Sequence, residues 1–454
     1  MMLGIRKKPF QGKGKRIFIT VDKFCLEGEN VAGAMPAFEN RNCDCVDGMI
    51  KTGVGLRYSQ LNGKNVAVDF ADGLRRVYLI DSGGKLDDEE RAQTLFCLSK
   101  EGKLYRYDEE TEQFVYQFDM PGDGQYCMAA NANNEWYAIF TAGKGYYVVN
   151  GDDFTKYDNK GTITGICFCK GRIFLAEKHC RVKYSRVDSP WDFSETLDES
   201  GVISLAYDFG EIVALVPFHE RVYVFMEHGV AQLNVTGSPL DFKIVPLDYS
   251  GGKIFGSTVG VCNNHIMFLT EDGVVRFNGT RFEMVAKNLR ISPKRGIQVC
   301  GYAVCGDKYI VQYESIAAGN KAVVVKADGK GYFTGEREGL NQSNGKALCV
   351  VNGLVYEIVT DGIMAGSERY CFRGTWTDFG IKKKKTLRSI RLEGEGGYTL
   401  YVGCDNTWQN STATFSNGRA LISFNKSGKE FSFEFRLQQG AVIRKLTIEL
   451  IVAE

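Results

Sequence analysis

Two pairs of cysteines in this 454-residue chain have the spacing of metal ligands. Cys43 and Cys45, like Cys167 and Cys169, are separated by one residue, so on a strand both thiols of a pair lie on one face. A structural zinc ion needs four ligands, and the sequence has no CxxC or HxxxH pair to complete a set. Cys167 and Cys169 stand in an apolar run that predicts burial; Cys43 and Cys45 stand in a polar loop, where burial is a weaker but still preferred interpretation. We therefore predict neither a metal nor a cofactor.

Histidines and carboxylates offer no complete catalytic set. The four histidines are His179, His219, His228 and His265, and no GxSxG or HExxH motif accompanies them. Acidic pairs such as Glu271/Asp272 precede Gly in turns, where local hydrogen bonding explains them. Sialidase propellers repeat a Ser-x-Asp-x-Gly-x-x-Trp turn, and the segment SPWDFSE has a Trp without that spacing. The sequence therefore predicts no catalytic residues and a protein that is not an enzyme.

A run of four lysines, Lys382, Lys383, Lys384 and Lys385, is the clearest cluster of one charge. Such a run can contact nucleic-acid phosphates or a partner protein. A short lysine run is more often a solvated linker, and both interpretations stay open here.

The composition excludes several classes of function. Lys and Arg total 56 against 55 Asp and Glu, so a net charge of +1 provides no field to attract nucleic acid or an anionic membrane. No apolar run approaches the roughly 18 residues of a membrane span, and the N-terminus lacks the apolar core of a signal peptide. The 14 cysteines are irregularly spaced and often lie in apolar runs, which favours reduced thiols and assembly in the cytoplasm.

The elements that would position these residues are short β-hairpins. An apolar strand, an acidic-Gly turn and a second alternating strand recur, as in residues Leu95 to Phe118 and Cys262 to Val285. The repeats begin roughly 30 to 50 residues apart, which is the spacing of propeller blades. We predict an all-β chain: an extended N-terminal segment (1–48), a β-propeller (49–380) of about seven blades, with six or eight as alternatives, and a small antiparallel C-terminal β-sandwich (381–454).

One stretch of the repeat array carries a more specific pattern. An apolar strand is followed by Arg-x-x-x-Tyr-Ser spacing and by an Asp-x-Pro segment with aromatic residues. The residues are Arg181, Tyr184, Ser185, Asp188, Pro190, Trp191 and Phe193. The pattern resembles a blade of the β-propeller proteins in tailed-bacteriophage virions. Physically it predicts packing, in which Trp191 and Phe193 cover the blade edge and Pro190 ends a strand.

The C-terminal region, with KTLRSIRLEGEGGYTLYVGCDN and KEFSFEFRLQQGAVIRKLTIELIVAE, is similar to the β-sandwich that follows the propeller in phage tail nozzle, hub and DNA-stabilisation proteins. The resemblance implies a structural virion protein of the tail or neck, made in the host bacterial cytoplasm. Its partners would be tail, neck or portal-proximal virion proteins and further copies of itself, commonly in a ring of six around the path of the DNA. The alternative is a tail-borne propeller that binds or degrades glycans, which would need acids beside aromatic residues such as Trp136, Trp191 or Trp376.

Overall fold

The chain forms strands and short turns in a computed structural model. It describes all residues except 1–4, 8–14, 27–33, 42, 59, 62–63, 82–92, 122–124, 151–152, 195–198, 207, 286–296, 316–318, 329–331, 336–337, 344, 352, 360–369 and 453–454. Among the described residues, no helix has the length and hydropathy needed to cross a membrane.

The strands are named in chain order. The first nine are β1 (Ile5–Lys7), β2 (Lys15–Val21), β3 (Phe24–Cys25), β4 (Met35–Arg41), β5 (Cys43–Val46), β6 (Met49–Thr52), β7 (Gly55–Tyr58), β8 (Gln60–Leu61) and β9 (Lys64–Asn65). The hairpin repeats contain β10 (Leu74–Asp81), β11 (Gln93–Ser99), β12 (Lys103–Asp108), β13 (Gln113–Asp119), β14 (Tyr126–Ala130), β15 (Trp136–Thr141), β16 (Gly145–Asn150), β17 (Asp153–Asp158), β18 (Ile163–Cys169), β19 (Arg172–Glu177), β20 (Arg181–Tyr184), β21 (Gly201–Ser204), β22 (Ile212–Phe218), β23 (Arg221–Met226), β24 (Gly229–Asn234), β25 (Lys243–Pro246), β26 (Gly260–Cys262), β27 (His265–Thr270), β28 (Gly273–Phe277) and β29 (Phe282–Val285). They continue with β30 (Ile297–Cys305), β31 (Lys308–Ser315), β32 (Gly319–Lys326), β33 (Tyr332–Gly335), β34 (Glu338–Ser343), β35 (Lys346–Val351) and β36 (Leu354–Val359). The last seven are β37 (Tyr370–Gly374), β38 (Lys385–Glu395), β39 (Gly397–Cys404), β40 (Thr407–Thr414), β41 (Arg419–Gly428), β42 (Phe431–Leu437) and β43 (Val442–Val452), and two 3-10 turns span Pro239–Asp241 and Gly256–Thr258.

The described chain divides into two compact units. The terminal unit contains Met1–Arg57, Val323–Gly335 and Val359–Glu454, and the central unit contains Tyr58–Ala322 and Glu336–Ile358. The division falls within β32, so each unit is discontinuous in sequence.

The central unit consists of successive antiparallel sheets. Five four-stranded sheets follow one another, β10–β13, β14–β17, β18–β21, β22–β25 and β26–β29. The sixth begins with the pair β30–β31, and the seventh contains β34, β35 and β36 in that order. The second strand of a sheet is apolar on both faces, because each sheet lies between two neighbouring sheets. In β23, for example, Val222 to Met226 are all buried.

Neighbouring sheets of the central unit share apolar cores in sequence order. The first packs on the second through Tyr78 and Phe140. Apolar clusters likewise join sheet two to sheet three, sheet three to sheet four, and sheet four to sheet five. Polar contacts continue the series: the hydroxyl of Tyr309 in sheet six donates to the carbonyl of Thr258, just before sheet five, and Gln312 accepts from the backbone N–H of Leu340 in sheet seven at 2.7 Å.

The seventh sheet returns to the first and closes a ring. Leu348 and Val355 of sheet seven share a core with Val77 and Leu95 of sheet one. The hydroxyl of Ser343 donates to the Leu79 carbonyl at 2.9 Å and accepts from the Leu79 N–H at 3.0 Å. A closed ring of seven antiparallel sheets is a seven-bladed β-propeller, so the predicted all-β propeller is confirmed.

The ring is also closed by backbone pairing between the two ends of the repeat array. Residues 66–68, which precede the first blade, lie beside β36 of the last blade. The Val68 N–H donates to the Gly353 carbonyl at 2.7 Å and the Val355 N–H donates to the Val66 carbonyl at 3.1 Å. Pairing of this kind removes a sheet edge that would otherwise be open to other chains.

The terminal unit contains two sheets. In one, β43 lies between β2 and β38, β38 also pairs with β41, and the hairpin β5–β6 joins β43. In the other, the strand order is β33, β4, β37, β42, β39 and β40. The C-terminal sandwich stays a prediction.

The N-terminal residues were predicted to form an extended segment, and residues 49–380 to form the propeller. The structure shows β2 paired with β43 in the terminal unit, from Lys15↔Val452 to Val21↔Leu446. β37, which precedes the predicted boundary at Gly380, pairs with β42 in the same unit. The alternation of apolar and polar residues within β2 and β37 predicts a strand, but it does not predict that the pairing partners, β43 and β42, lie so far along the chain.

Candidate functional site

The residues of the sequence pattern that begins at Arg181 and ends at Phe193 lie in β20 and in the loop that joins β20 to β21, in the third blade. Ser185, directly after β20, is fully buried. Its N–H donates to the Ile173 carbonyl at 2.9 Å, and its hydroxyl accepts from the Ile173 N–H at 2.9 Å and donates to the Arg186 carbonyl at 3.0 Å. The hydroxyl therefore extends the β19 pairing into the loop and leaves no free nucleophile.

A buried arginine that the sequence pattern did not single out holds this loop. The Arg172 guanidinium donates to the Ser185 carbonyl at 2.6 Å and to the Glu199 carbonyl. It lies 5.8 Å from the centre of the Tyr184 ring and 5.9 Å from that of Phe242. Burial lowers the pKa of Arg172, and the two carbonyls and two rings supply the compensating contacts. Tyr184 thus has a packing role.

The second half of the pattern packs on the preceding blade. Asp188 adopts a left-handed conformation (φ 57°) and pairs through its N–H with the Gly171 carbonyl at 2.9 Å. Pro190 is buried in the loop. The Trp191 ring lies edge-on to Tyr137 with centroids 5.0 Å apart, and Phe193 lies 5.8 Å from Tyr146. Trp191 and Phe193 therefore join blade three to blade two.

Arg181, the first residue of the pattern, belongs to a buried ion cluster. Its guanidinium lies 2.8 Å from the Glu177 carboxylate, whose side chain is 0% exposed. The Lys183 ammonium lies 3.2 Å from the same carboxylate, and Asn159 of the preceding blade donates to it at 2.7 Å. In the sequence, Glu177 is the last residue of the apolar run RIFLAE, and nothing in that run predicts the ion pairs with Arg181 and Lys183.

One acid is bonded to Tyr137, the ring that contacts Trp191. The Glu135 carboxylate accepts from Tyr137 at 2.9 Å and from Asn131 at 2.7 Å. Burial, with a further contribution from the bond to Glu135, raises the pKa of Tyr137 to about 12. Tyr137 is therefore protonated at neutral pH and acts as a donor that orients the acid.

A second carboxyl group, that of Asp192, lies in the loop between β20 and β21. Hydrogen bonds from the hydroxyl and N–H of Ser194, at 2.6 and 2.9 Å, lower its pKa, and Arg186 adds to the effect. An acid that protonates a glycosidic oxygen needs a raised pKa instead. Asp192 is arranged to cap the loop and not to donate a proton.

Trp191→Ala is expected to lower the free energy of unfolding by about 2 kcal/mol, because a half-buried indole leaves its contact with Tyr137 and a cavity forms between two blades. Urea denaturation followed by circular dichroism measures the change. Val187→Ala, in the same loop and 47% exposed, serves as the control and is expected to be near neutral. Equal effects of the two changes would contradict a packing role for Trp191.

The cysteines and histidines form no metal site among the described residues. Cys43 and Cys45 lie on strand β5 and are 0% and 6% exposed, where the sequence had indicated a polar loop. Burial raises the pKa of the Cys43 thiol, and burial likewise raises that of Cys167. These thiols are protonated and weakly nucleophilic at neutral pH. Of the histidines, His219 stacks on Phe218 and His265 contacts the Asn263 carbonyl at 2.9 Å, both local turn contacts.

The lysine run divides into two parts. Lys382, Lys383 and Lys384 are exposed, whereas Lys385 is 1% exposed. The Lys385 ammonium donates to the carbonyls of Ile381, at 2.7 Å, and Lys429. Burial lowers the pKa of Lys385. Its ammonium is used inside the chain, so a phosphate or partner contact by this run is a prediction for the three exposed lysines.

Lys385→Met is expected to lower the free energy of unfolding by about 1 to 3 kcal/mol, because the partly buried carbonyls lose their donor. Lys384→Met, at an exposed neighbouring position, is the matched control and is expected to change it by less than about 0.5 kcal/mol. Thermal unfolding of both variants checks the difference. A Lys385 variant as stable as the control would show that water replaces the ammonium.

The sequence matches no protein-family model and no curated protein. Among solved structures, the chain is similar to U3-55K (11% identity, 65% of this chain and 97% of that chain covered, TM-score 0.41) and to the WD40 repeats of RRP9 (12%, 67% and 99%, 0.42). It is also similar to BBS1N, solved in complex with ARL6DN (11%, 65% and 95%, 0.43). The order of sheets described above, and not these distant likenesses, defines the propeller.

Proposed function

We propose that this chain is a non-enzymatic structural protein of a tailed-phage particle, located in the tail or neck. The observation that carries the proposal is the third-blade loop: its polar groups hold the backbone, and its aromatic residues join two blades. The same residues carry the resemblance to virion propellers. A loop whose buried polar groups bond to the backbone and whose rings pack between blades supports a rigid assembly component more than a catalyst.

The partners proposed are other virion proteins and further copies of this chain in a homo-oligomeric ring around the passage for DNA. The net charge of +1 supports a shell component that contacts DNA transiently. The exposed Lys382, Lys383 and Lys384 are the candidate contacts with DNA or with a neighbouring subunit.

Mass measurement in solution tests the assembly. Native mass spectrometry or light scattering across a concentration series is expected to show a closed oligomer, alone or with neck and tail proteins. Antibody labelling in electron micrographs of particles is expected to place the chain on the tail axis. A strict monomer at high concentration that binds no virion protein would overturn the proposal.

The alternative function is a tail-borne protein that binds or degrades glycans. The contact of Trp191 with Tyr137, which orients Glu135, is the observation in its favour. The lowered pKa of Asp192 makes this residue unsuited to protonate a glycosidic oxygen. Release of reducing ends from bacterial surface polysaccharide by the purified chain would establish cleavage instead.

A further inference from the structure

Six side chains of the terminal unit form a connected array on one sheet. They are Arg373, Trp376, Tyr401, Trp408, Glu434 and Arg436, and we call them the arginine–tryptophan face. Strand register explains the grouping: Glu434 of β42 lies opposite Arg373 of β37 and opposite Tyr401 of β39. Since directly opposed residues share a face, these side chains project from the same side of the sheet.

The other side of these strands is apolar and buried. Leu400 and Val402 of β39 and Phe433 and Phe435 of β42 are each 0% exposed. Trp408, by contrast, is 39% exposed, and the Arg436 side chain is 41% exposed. The arginine–tryptophan face is therefore the outer side of a sheet whose inner side is core.

A nearly buried carboxylate holds two guanidinium groups in place. Glu434, 4% exposed, accepts from Nε and Nη2 of Arg373, both at 2.8 Å, and from Nε of Arg436 at 2.7 Å. Arg436 also donates through Nη1 to the Tyr401 hydroxyl at 3.0 Å. Both guanidinium groups therefore share one carboxylate, which fixes their orientation. Nη2 of Arg436 has no hydrogen-bond acceptor among the described residues, and the side chain is partly exposed.

Two indoles form a platform beside these arginines. Trp376 and Trp408 lie edge to face with centroids 5.6 Å apart, and the Arg373 guanidinium is 5.3 Å from the Trp408 ring. Both indoles lie over Gly403, where an added Cβ would come within 2.6 Å of Trp376 and 3.0 Å of Trp408. Glycine at this place lets the rings lie directly on the backbone.

The rim of the platform is neutral and rich in hydrogen-bonding groups. β40, which reads TWQNSTAT, has no charged residue, and Asn410 lies opposite Tyr401. The hydroxyls of Thr399 and Thr412 are 3.2 Å apart and exposed. An exposed ring, fixed donors and neutral polar side chains are complementary to a sugar, which has one apolar face and a rim of hydroxyls. Two arginines that share a carboxylate are too few for a DNA backbone, which needs several cations.

We propose that the arginine–tryptophan face binds an oligosaccharide that carries a carboxylate, with a sugar ring on Trp408 and the carboxylate on Arg436. Arginine recognises a carboxylate by charge-assisted hydrogen bonds, and Glu434 orients the guanidinium so that Nη2 is left for that contact. The site lies outside the propeller and is independent of the assembly role proposed above.

Calorimetric titration of the full chain tests this site. The probes are a tetragalacturonate, a trimannuronate and a tetrasaccharide of glucuronate and N-acetylglucosamine, each beside its carboxyl-reduced form. At least one acidic probe is expected to bind with a dissociation constant below about 1 mM, and its reduced form at least about tenfold more weakly. Trp408→Ala and Arg436→Met are each expected to weaken binding by more than about tenfold. Leu421→Ala, 64% exposed on β41, is the matched control and is expected to bind like the parent chain.

Three outcomes would overturn the proposal. They are no binding of any acidic probe, equal binding of an acidic probe and its reduced form, and binding that survives both substitutions. Trp408→Phe keeps a stacking ring, so retained binding by this variant separates loss of the platform from loss of folding. None of these results bears on whether the chain assembles into a ring.

Discussion

Glu177→Ala is expected to lower the free energy of unfolding by about 3 to 5 kcal/mol, the largest effect of any single charge removal that we predict. The carboxylate is fully buried, and its loss leaves the ammonium of Lys183, 15% exposed, without its anion. It also removes one of the two acceptors of the Asn159 amide, which comes from the preceding blade, so the junction between blades two and three weakens. Urea denaturation followed by circular dichroism measures the change.

Glu220→Ala is the matched control for this prediction. Glu220 also pairs with a lysine, Lys170 at 2.8 Å, but its side chain is 74% exposed. Exposed pairs contribute at most about 1 kcal/mol, because water and salt screen them. If the Glu177 and Glu220 variants are equally stable, burial of the Glu177 carboxylate is not what holds the two blades.

Gly260→Ala is expected to cost about 3 kcal/mol, at the upper end for an added methyl group in a packed core. A Cβ on Gly260, in the first strand of blade five, would overlap the ring of Tyr302 in blade six. The Tyr302 ring lies against Tyr309, with centroids 6.0 Å apart, so it cannot move without disturbing a second buried ring. Thermal unfolding of the variant is expected to begin well below that of the parent chain.

Val261→Ala controls for the change at Gly260. Val261 is the next residue of the same strand, faces the other way and is 42% exposed, so its truncation is expected to cost less than about 1 kcal/mol. A double variant, Gly260→Ala with Tyr302→Leu, is expected to recover part of the loss because the smaller side chain leaves room for the methyl group. Strictly additive losses would contradict an overlap with Tyr302.

The blades were predictable because their signal is local. Alternation along a strand and a Gly-containing turn determine a hairpin within about 25 residues. The repeat predicted from Cys262 to Val285 begins at the last residue of β26 and contains β27, β28 and β29. Trp191 and Phe193 were likewise expected to pack at a blade edge from their types and from Pro190. The structure adds their partners, Tyr137 and Tyr146.

The residues missed by sequence reasoning act through distant partners. Arg172 and Glu177 looked like ordinary charged residues at the two ends of β19. Their burial depends on Phe242 of the next blade and Asn159 of the previous one. Lys385 looked like the last of four equivalent lysines until the carbonyl of Lys429 came within reach. A sequence pattern shows which residues are charged, but it does not show which carbonyl or ring will cover them.

The sequence by itself determined that the chain is made of short antiparallel strands in repeated hairpins, because strand alternation and turn chemistry depend on neighbours in the chain. Tertiary structure alone decided that the ring closes after seven blades and that β2 pairs with β43 at the far end of the chain. It also assembled the arginine–tryptophan face from four strands and a loop. Strand alternation fixes which face is buried but not which strand lies alongside, and that choice depends on packing over the whole unit.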